Sequence, residues 1–324
     1  MKGDSRMAFI PRFIDAEREQ CKASIMIEGL TGQGKSGLAL AFGYILAGKQ
    51  WDKVYFIDTE NRSGLLLRGI PFSVGEITGR FKYGELTKDI GYKPSNYTLY
   101  REAAKKAGAL VVIKDSISHA WQYKGGVLDL VNEAAKKLKN NDKYGAWRDE
   151  TVAAEKLELL ELIRDPQVHV ITTVRVKEGY EYVDDGSGGK KLQSVGLQQI
   201  QQDELQYEPD LVLRMVSPGY GMDVHPVAKV VKSRYPMLIK GETYTFTPEL
   251  MLQVKVYLEE GADPLQLLEQ QRQDYIQAVT EYLNSHPNAK PIWDVMKKDA
   301  GYGDMKLTDI PLGILKKLYI TLTS

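Results

Sequence analysis

Between residues 23 and 251, short apolar runs alternate with stretches in which apolar residues recur every three or four positions. The runs at 24–29 (SIMIEG), 53–60 (KVYFIDTE), 109–116 (ALVVIKDS), 168–175 (VHVITTVR), 210–217 (DLVLRMVS), 227–234 (VAKVVKSR) and 243–248 (TYTFTP) predict strands. The spacing at 36–48 and 146–165 predicts helices, the second stopped at Asp165-Pro166. Such alternation predicts an α/β fold with a mostly parallel central sheet and helices on both faces. Residues 178–206 hold DDGSGG and a Gln-rich tract without a clear period, which predicts a long loop of a kind that is usually functional or disordered. Beyond residue 261, helical patterns at 263–287, 290–301 and 309–322 predict a small helical unit. The expected division is an N-terminal segment at 1–22, a core at 23–260 and a helical C-terminal domain at 261–324.

Composition changes this picture little. A chain of 324 residues with 43% hydrophobic and 27% charged residues can bury a large core and keep an ordinary polar surface. Its 43 basic and 43 acidic residues cancel, so any contact with nucleic acid must be local. The single Cys21 excludes a disulfide framework within the chain, and the charged start lacks the apolar core of a signal peptide. No apolar stretch reaches membrane-spanning length. A reducing cytoplasm is the expected compartment.

The chemistry starts after the first strand. Gly29, Leu30, Thr31, Gly32, Gln33, Gly34, Lys35 and Ser36, read GLTGQGKS, fit the pattern G-x-x-x-x-G-K-[ST] and run through Gly37 into a predicted helix. Glycines let successive backbone N–H groups curl around phosphate oxygens, Lys35 neutralises the terminal phosphates, and the Ser36 hydroxyl can ligate Mg²⁺. The helix that follows aims its positive end at the same place. ATP and Mg²⁺ are therefore the expected ligands.

A triphosphate site also needs carboxylates. Asp115 closes an apolar strand and is the candidate for the Mg²⁺ side, although Asp-Ser also suits a strand-terminal turn or a helix cap. Asp58 and Glu60 close another strand; in an extended segment they share one side, and if the chain turns after Thr59 their roles separate. Glu60 is the candidate that polarises water, with Asp58 as support. A solvated acidic turn is the alternative.

Taken together, GLTGQGKS, FIDTE, VVIKDS, VHVITTVRVK and VAKVVKSRYP resemble, in order and spacing, the RecA-like recombinase core over about residues 20–250. The resemblance is nearest to the compact RecA-like ATPases of bacteriophages, a group that includes core-only single-strand-annealing recombinases. It implies a RecA-like P-loop fold, Glu60 as the catalytic glutamate, Asp115 and Ser116 at the metal-binding strand end, and Thr173, Arg175 and Lys177 as the sensor region. Bacterial RecA usually has Gln at the place of Thr173. Lys232 and Arg234 fall where that family reaches across to the ATP of the next subunit, which implies a homo-oligomer, ring or filament, with sites between protomers. A solvated strand face is the plainer reading of these two residues.

The resemblance also implies single-stranded DNA as partner, through the segment after Lys177. Residues 168–203 carry four basic residues (Arg175, Lys177, Lys190, Lys191) against five acidic (Glu178, Glu181, Asp184, Asp185, Asp203), a poor match to phosphate, although Tyr180 and Tyr182 could stack on bases. A better basic stretch is 134–148, with Lys136, Lys137, Lys139, Lys143 and Arg148 beside Tyr144 and Trp147. Phe13 and Ala16 resemble a short motif that pins recombinase protomers together; Phe13 packing on its own domain is the alternative. His119 and Trp121 follow Asp115 and suit a core as well as a site. The expected function is ATP-dependent action on single-stranded DNA in phage recombination or replication. The alternatives are a loader or motor acting on a replication protein through the C-terminal domain, and a nucleotide-gated interaction module.

Overall fold

The computed structural model describes residues 18–184, 190–201, 203–219, 221 and 223–323. In chain order its strands are β1 (Ser24–Gly29), β2 (Val54–Asp58), β3 (Pro71–Phe72), β4 (Glu76–Ile77), β5 (Lys82–Glu85), β6 (Val111–Asp115), β7 (His169–Asp184), β8 (Lys190–Gln199), β9 (Leu211–Ser217), β10 (Val227–Ser233) and β11 (Thr243–Thr245). Its helices are α1 (Lys35–Leu46), α2 (Pro94–Lys106), α3 (Ser118–Gln122), α4 (Val127–Lys136), α5 (Lys143–Ala146), α6 (Glu150–Glu161), α7 (Pro248–Glu259), α8 (Pro264–Ser285), α9 (Lys290–Asp299) and α10 (Leu312–Thr323).

The central sheet runs β11-β10-β9-β1-β7-β6-β2-β5, with β8 beside β7 beyond this path. From β9 to β5 every pairing is parallel, and β10 and β11 close one edge antiparallel. The α/β architecture with a mostly parallel sheet expected from the pattern is therefore present.

Period-two alternation sorts the strand side chains onto two faces. Ile25, Ile27, Val54, Phe56, Val111, Ile113, Ile171, Leu211 and Leu213 pack with α1 and α7. Met26, Ile57, Val112, Val170, Val174 and Val212 pack with α2 and α6. Both faces are covered, which is why the strands read as nearly continuous apolar runs. Helix α1 is buried from Gly37 to Leu46, as its all-round apolar sequence requires.

Three local readings differ in the structure. The helix expected at 146–165 is two, because Asp149 accepts hydrogen bonds from the Thr151 and Val152 amides and caps α6 afresh. Most of the described part of the loop expected at 178–206 is an antiparallel ribbon in which β8 pairs with the far half of β7, with one register shift between Gly179 and Tyr180. Strand β5 is only four residues long, and its alternation is too brief to register as a period.

Among the described residues the chain divides by contacts into Cys21–Leu258 and a second unit of residues 18–20 and 259–323. The second unit has a core of its own around Val279, Trp293, Ile310, Leu315 and Leu318. Within it, Glu19 bridges Ala262. Phe13 and Ala16 lie outside the described residues. No described helix is long and apolar enough to cross a membrane.

Candidate functional site

Strand β1 ends at Gly29 and the chain turns through residues 30–34 into α1. Gly32 and Gly34 hold φ of 81° and 79°, a left-handed backbone open to glycine at little cost. Within the loop, the Leu30 amide donates to Gln33 Oε1 at 2.7 Å. Gly34 caps α1 without a side-chain acceptor, and the first turn carries no acidic residue, so the positive end of the helix is not neutralised locally. Leu30 and Thr31 are exposed, and Gly37 is packed inside. Lys35, buried to 8% exposure, donates from Nζ to the Leu30 carbonyl at 3.0 Å. Burial lowers its pKa, against the opposing pull of Asp115 and Glu60.

The same alternation that builds the core brings the carboxylate to this loop. Asp115 follows Val111 and Ile113 on the α1 face of β6, and Thr173 follows Ile171 on the α1 face of β7. The Ser36 hydroxyl donates to Asp115 Oδ2 at 2.5 Å, and the Thr173 hydroxyl donates to Oδ1. Each carboxylate oxygen thus has a hydroxyl partner. Burial pushes Asp115 up to about 6, with Glu60 adding to the rise and the two hydroxyls opposing it. Ser36 and Asp115 together present hard oxygen donors at the start of the helix, which suits Mg²⁺ held mainly by phosphates and water. Among the described residues no cluster of three or more His, Cys, Asp or Glu competes for a metal.

After β2 the chain turns, and its two carboxylates meet different partners. Asp58 accepts from the Glu60 amide at 2.6 Å, the Gly64 amide at 2.8 Å and the Tyr83 hydroxyl at 3.2 Å. It is spent on shaping the turn. Gly64 is obligatory there, since a Cβ would lie 2.6 Å from Phe56 Cε1 and 3.0 Å from Asp58 Oδ2. Glu60 is left at the turn's crest, where Arg175 Nε donates to its Oε1 at 2.9 Å.

Several partners in this network had no sequence signal. The Arg175 guanidinium also donates to the Tyr123 hydroxyl at 3.1 Å, and the Arg175 amide donates to Ser118 Oγ at 2.9 Å. The Thr59 amide donates to the Asp115 carbonyl, and its hydroxyl accepts from the Ser116 amide and lies 2.6 Å from His119 Nδ1. Burial, with Arg175 nearby, pushes His119 down to about 4. Tyr123 and Thr59 come in from separate elements, and nothing local in the sequence marks them. Trp121 packs beside Trp147, ring centroids 6.2 Å apart. Lys177 is exposed.

Lys232 and Arg234 do not join this group in their own chain. Lys232 pairs across to Val212, which aligns with Met26 of β1, about 10 Å along the strand from Gly29. Lys232 Nζ donates to the Tyr207 carbonyl at 2.5 Å, and Arg234 pairs with Asp210 at 2.7 Å. Both lie towards the end of the sheet opposite the glycine loop.

A glycine loop between a buried parallel strand and a buried helix, with a neighbouring strand's aspartate bonded to the loop's serine, defines a P-loop nucleotide-binding domain. The profile of the AAA domain family matches residues 21–237, and the chain belongs to that family. It carries an AAA-type P-loop ATPase domain. A search of curated proteins finds no match. Among solved structures it is similar to the KaiC-like protein PH0186 from the hyperthermophilic archaeon Pyrococcus horikoshii OT3. The identity is 13%, over 71% of this chain and 94% of that one, with a TM-score of 0.35.

Proposed function

We propose that this chain is an ATP-hydrolysing, RecA-like protein of the compact phage type that acts on single-stranded DNA in recombination or replication. The observation that carries the hydrolytic part is the contact between Ser36 and Asp115, 79 residues apart in sequence, with Glu60 and Arg175 close enough to influence Lys35. In this reading residues 29–37 bind the triphosphate, Lys35 balances its charge, and Ser36 with Asp115 would hold Mg²⁺, which supplies charge neutralisation at the phosphates when bound. Thr173 fixes the Asp115 carboxylate, and its hydroxyl acts through that residue. Glu60 orients and polarises water, and Arg175 positions Glu60.

Lys232 and Arg234 act in trans, on the nucleotide of an adjacent copy, so that turnover depends on a homo-oligomer, ring or filament. Their distance from the glycine loop of their own chain supports this assignment over a role in cis. Mixing tests it: Glu60→Gln protein combined with Lys232→Ala/Arg234→Ala protein should recover turnover that neither has alone, because mixed interfaces unite an intact Glu60 site with intact cations. Additive residual rates at every mixing ratio would remove the trans assignment.

The DNA part rests on the resemblance in the motifs and on the β7–β8 ribbon that continues from Arg175. A gel shift with labelled single-stranded oligonucleotide, with and without ATP, tests it, and no shift at low salt removes it. The compact helical unit at the C-terminus, with its own core, favours a second reading, a loader or motor acting on a replication protein. Retention of such a partner by residues 259–324, with no oligonucleotide binding by the full chain, would select that reading.

A further inference from the structure

We propose that the corner formed by the end of α4, the turn at 137–142 and α5 is a binding surface for single-stranded nucleic acid, separate from the β7–β8 ribbon. The inference rests on the proposed action on single-stranded DNA and names a place where the strand is held.

The corner stands on a packed base. Val131, Ala134, Ala135, Ala146 and Val152 form a small core under it, with Leu130 and Trp147 packed alongside. Asn140 and Asn141 turn the chain with φ of 59° and 53°, a left-handed backbone that asparagine tolerates better than most residues. Asp142 then starts α5 by accepting from the Tyr144 amide at 3.0 Å.

What the platform displays is cationic and aromatic. Lys136, Lys137, Lys139, Lys143 and Arg148 are all exposed. Within 136–148 they face one acid, Asp142, while Asp129, Glu133, Asp149 and Glu150 flank the corner, so the positive charge is local to the turn and α5. Of the flanking acids, Glu133 cancels the charge of Lys136, while Asp129, which accepts from the Gly125 amide, and Asp149, which caps α6, keep theirs. Glu150 stands in the first turn of α6. Lys137, Lys139, Lys143 and Arg148 make no ion pair among the described residues. Tyr144, between the last two of these, is 91% exposed. A ring left in water beside unpaired cations matches the two requirements of single-strand binding, phosphate neutralisation and a stacking surface. The ribbon segment, with its slight acidic excess, does not supply the first of these.

The test uses the full chain and an end-labelled oligo-dT of about 40 nucleotides, followed by fluorescence anisotropy between about 50 and 200 mM salt, with and without ATP. Lys137→Glu/Lys139→Glu/Lys143→Glu should weaken binding at least tenfold and flatten the salt dependence by about 2 in log–log slope, roughly 0.7 for each phosphate contact removed. Tyr144→Ala should weaken binding by about tenfold and leave the slope unchanged. Turnover without DNA should stay at the wild-type value in both variants, which also verifies folding. If the wild type binds and both variants bind with unchanged affinity and slope, the corner is not the surface, while the DNA reading stands. If the wild type does not bind at all, the DNA reading falls and the inference with it. Binding to phosphatidylserine vesicles but not to oligonucleotide would assign the corner to a membrane surface and overturn the proposal.

Discussion

Arg175 Nε donates to Glu60 Oε1 at 2.9 Å, joining the crest of the turn after β2 to the point where β7 leaves the sheet for the ribbon. The two side chains remain 26% and 22% exposed, so the pair is reached by solvent and can be remade. Glu60→Gln should therefore reduce ATP turnover by about a hundredfold or more, the usual share of a positioned base, while nucleotide binding is kept. Arg175→Ala should reduce turnover less, and the double variant should be no slower than Glu60→Gln alone, because both changes remove one unit. Phosphate release and fluorescent-nucleotide binding on the four proteins check this. Fully additive losses would show that Arg175 does not act through Glu60.

Lys35→Ala should abolish measurable binding of ATP at concentrations that saturate the wild type. Thermal unfolding reads this directly: ATP and Mg²⁺ at a hundred times Kd stabilise a binding protein by about 2.7 kcal/mol, and the variant should show no shift. An equal shift in both proteins would remove Lys35 from the site.

Asp115 gives a pH signature in the protein free of nucleotide and metal. Its folded pKa of about 6 stands above the ordinary carboxylate value, so between about 4 and 6 the native chain holds a proton that the unfolded chain has released. Stability from this group is present below that window and is lost as pH rises through it. Asp115→Asn has no such ionisation. The variant's stability relative to wild type should therefore rise between pH 4 and 6, by at most about 3 kcal/mol. Denaturant titrations at both ends of the window measure it, and a gap that does not change with pH would argue against a raised pKa.

Gly64→Ala should destabilise the ATPase unit by about 1–3 kcal/mol, since the added methyl meets Phe56 and the Asp58 carboxylate within a close-packed turn. Because that turn carries Glu60, turnover should fall more than nucleotide affinity. Urea unfolding with steady-state kinetics separates the two effects. An unchanged kcat would detach the turn from catalysis.

The C-terminal core predicts a separate cost. Trp293 is 2% exposed in its own cluster, and Trp293→Ala should cost the helical unit about 3–5 kcal/mol. Calorimetry should show this as a lowered transition while ATP binding by the other unit persists. Loss of ATP binding in parallel would mean that the two units do not fold independently.

The sequence by itself determined most of the strands, the glycine loop and the strand-end acids. Strands covered on both faces must be apolar throughout, and a backbone cradle for phosphate needs glycine at fixed spacing, so both leave marks within a few residues. Asp58, Glu60 and Asp115 were legible for the same reason, as charges ending apolar runs. Only the tertiary structure decided which partners each of them meets. Parity along β6 and β7 set Asp115 between the Ser36 and Thr173 hydroxyls, a turn closed by Gly64 directed Asp58 at backbone amides, and Arg175 met Glu60 from 115 residues away. Tyr123, the contacts of Thr59 and the β7–β8 ribbon were invisible beforehand because their partners lie in other elements. A hydrogen bond between distant segments depends on register and sheet order, and neither is written in the residues at its two ends.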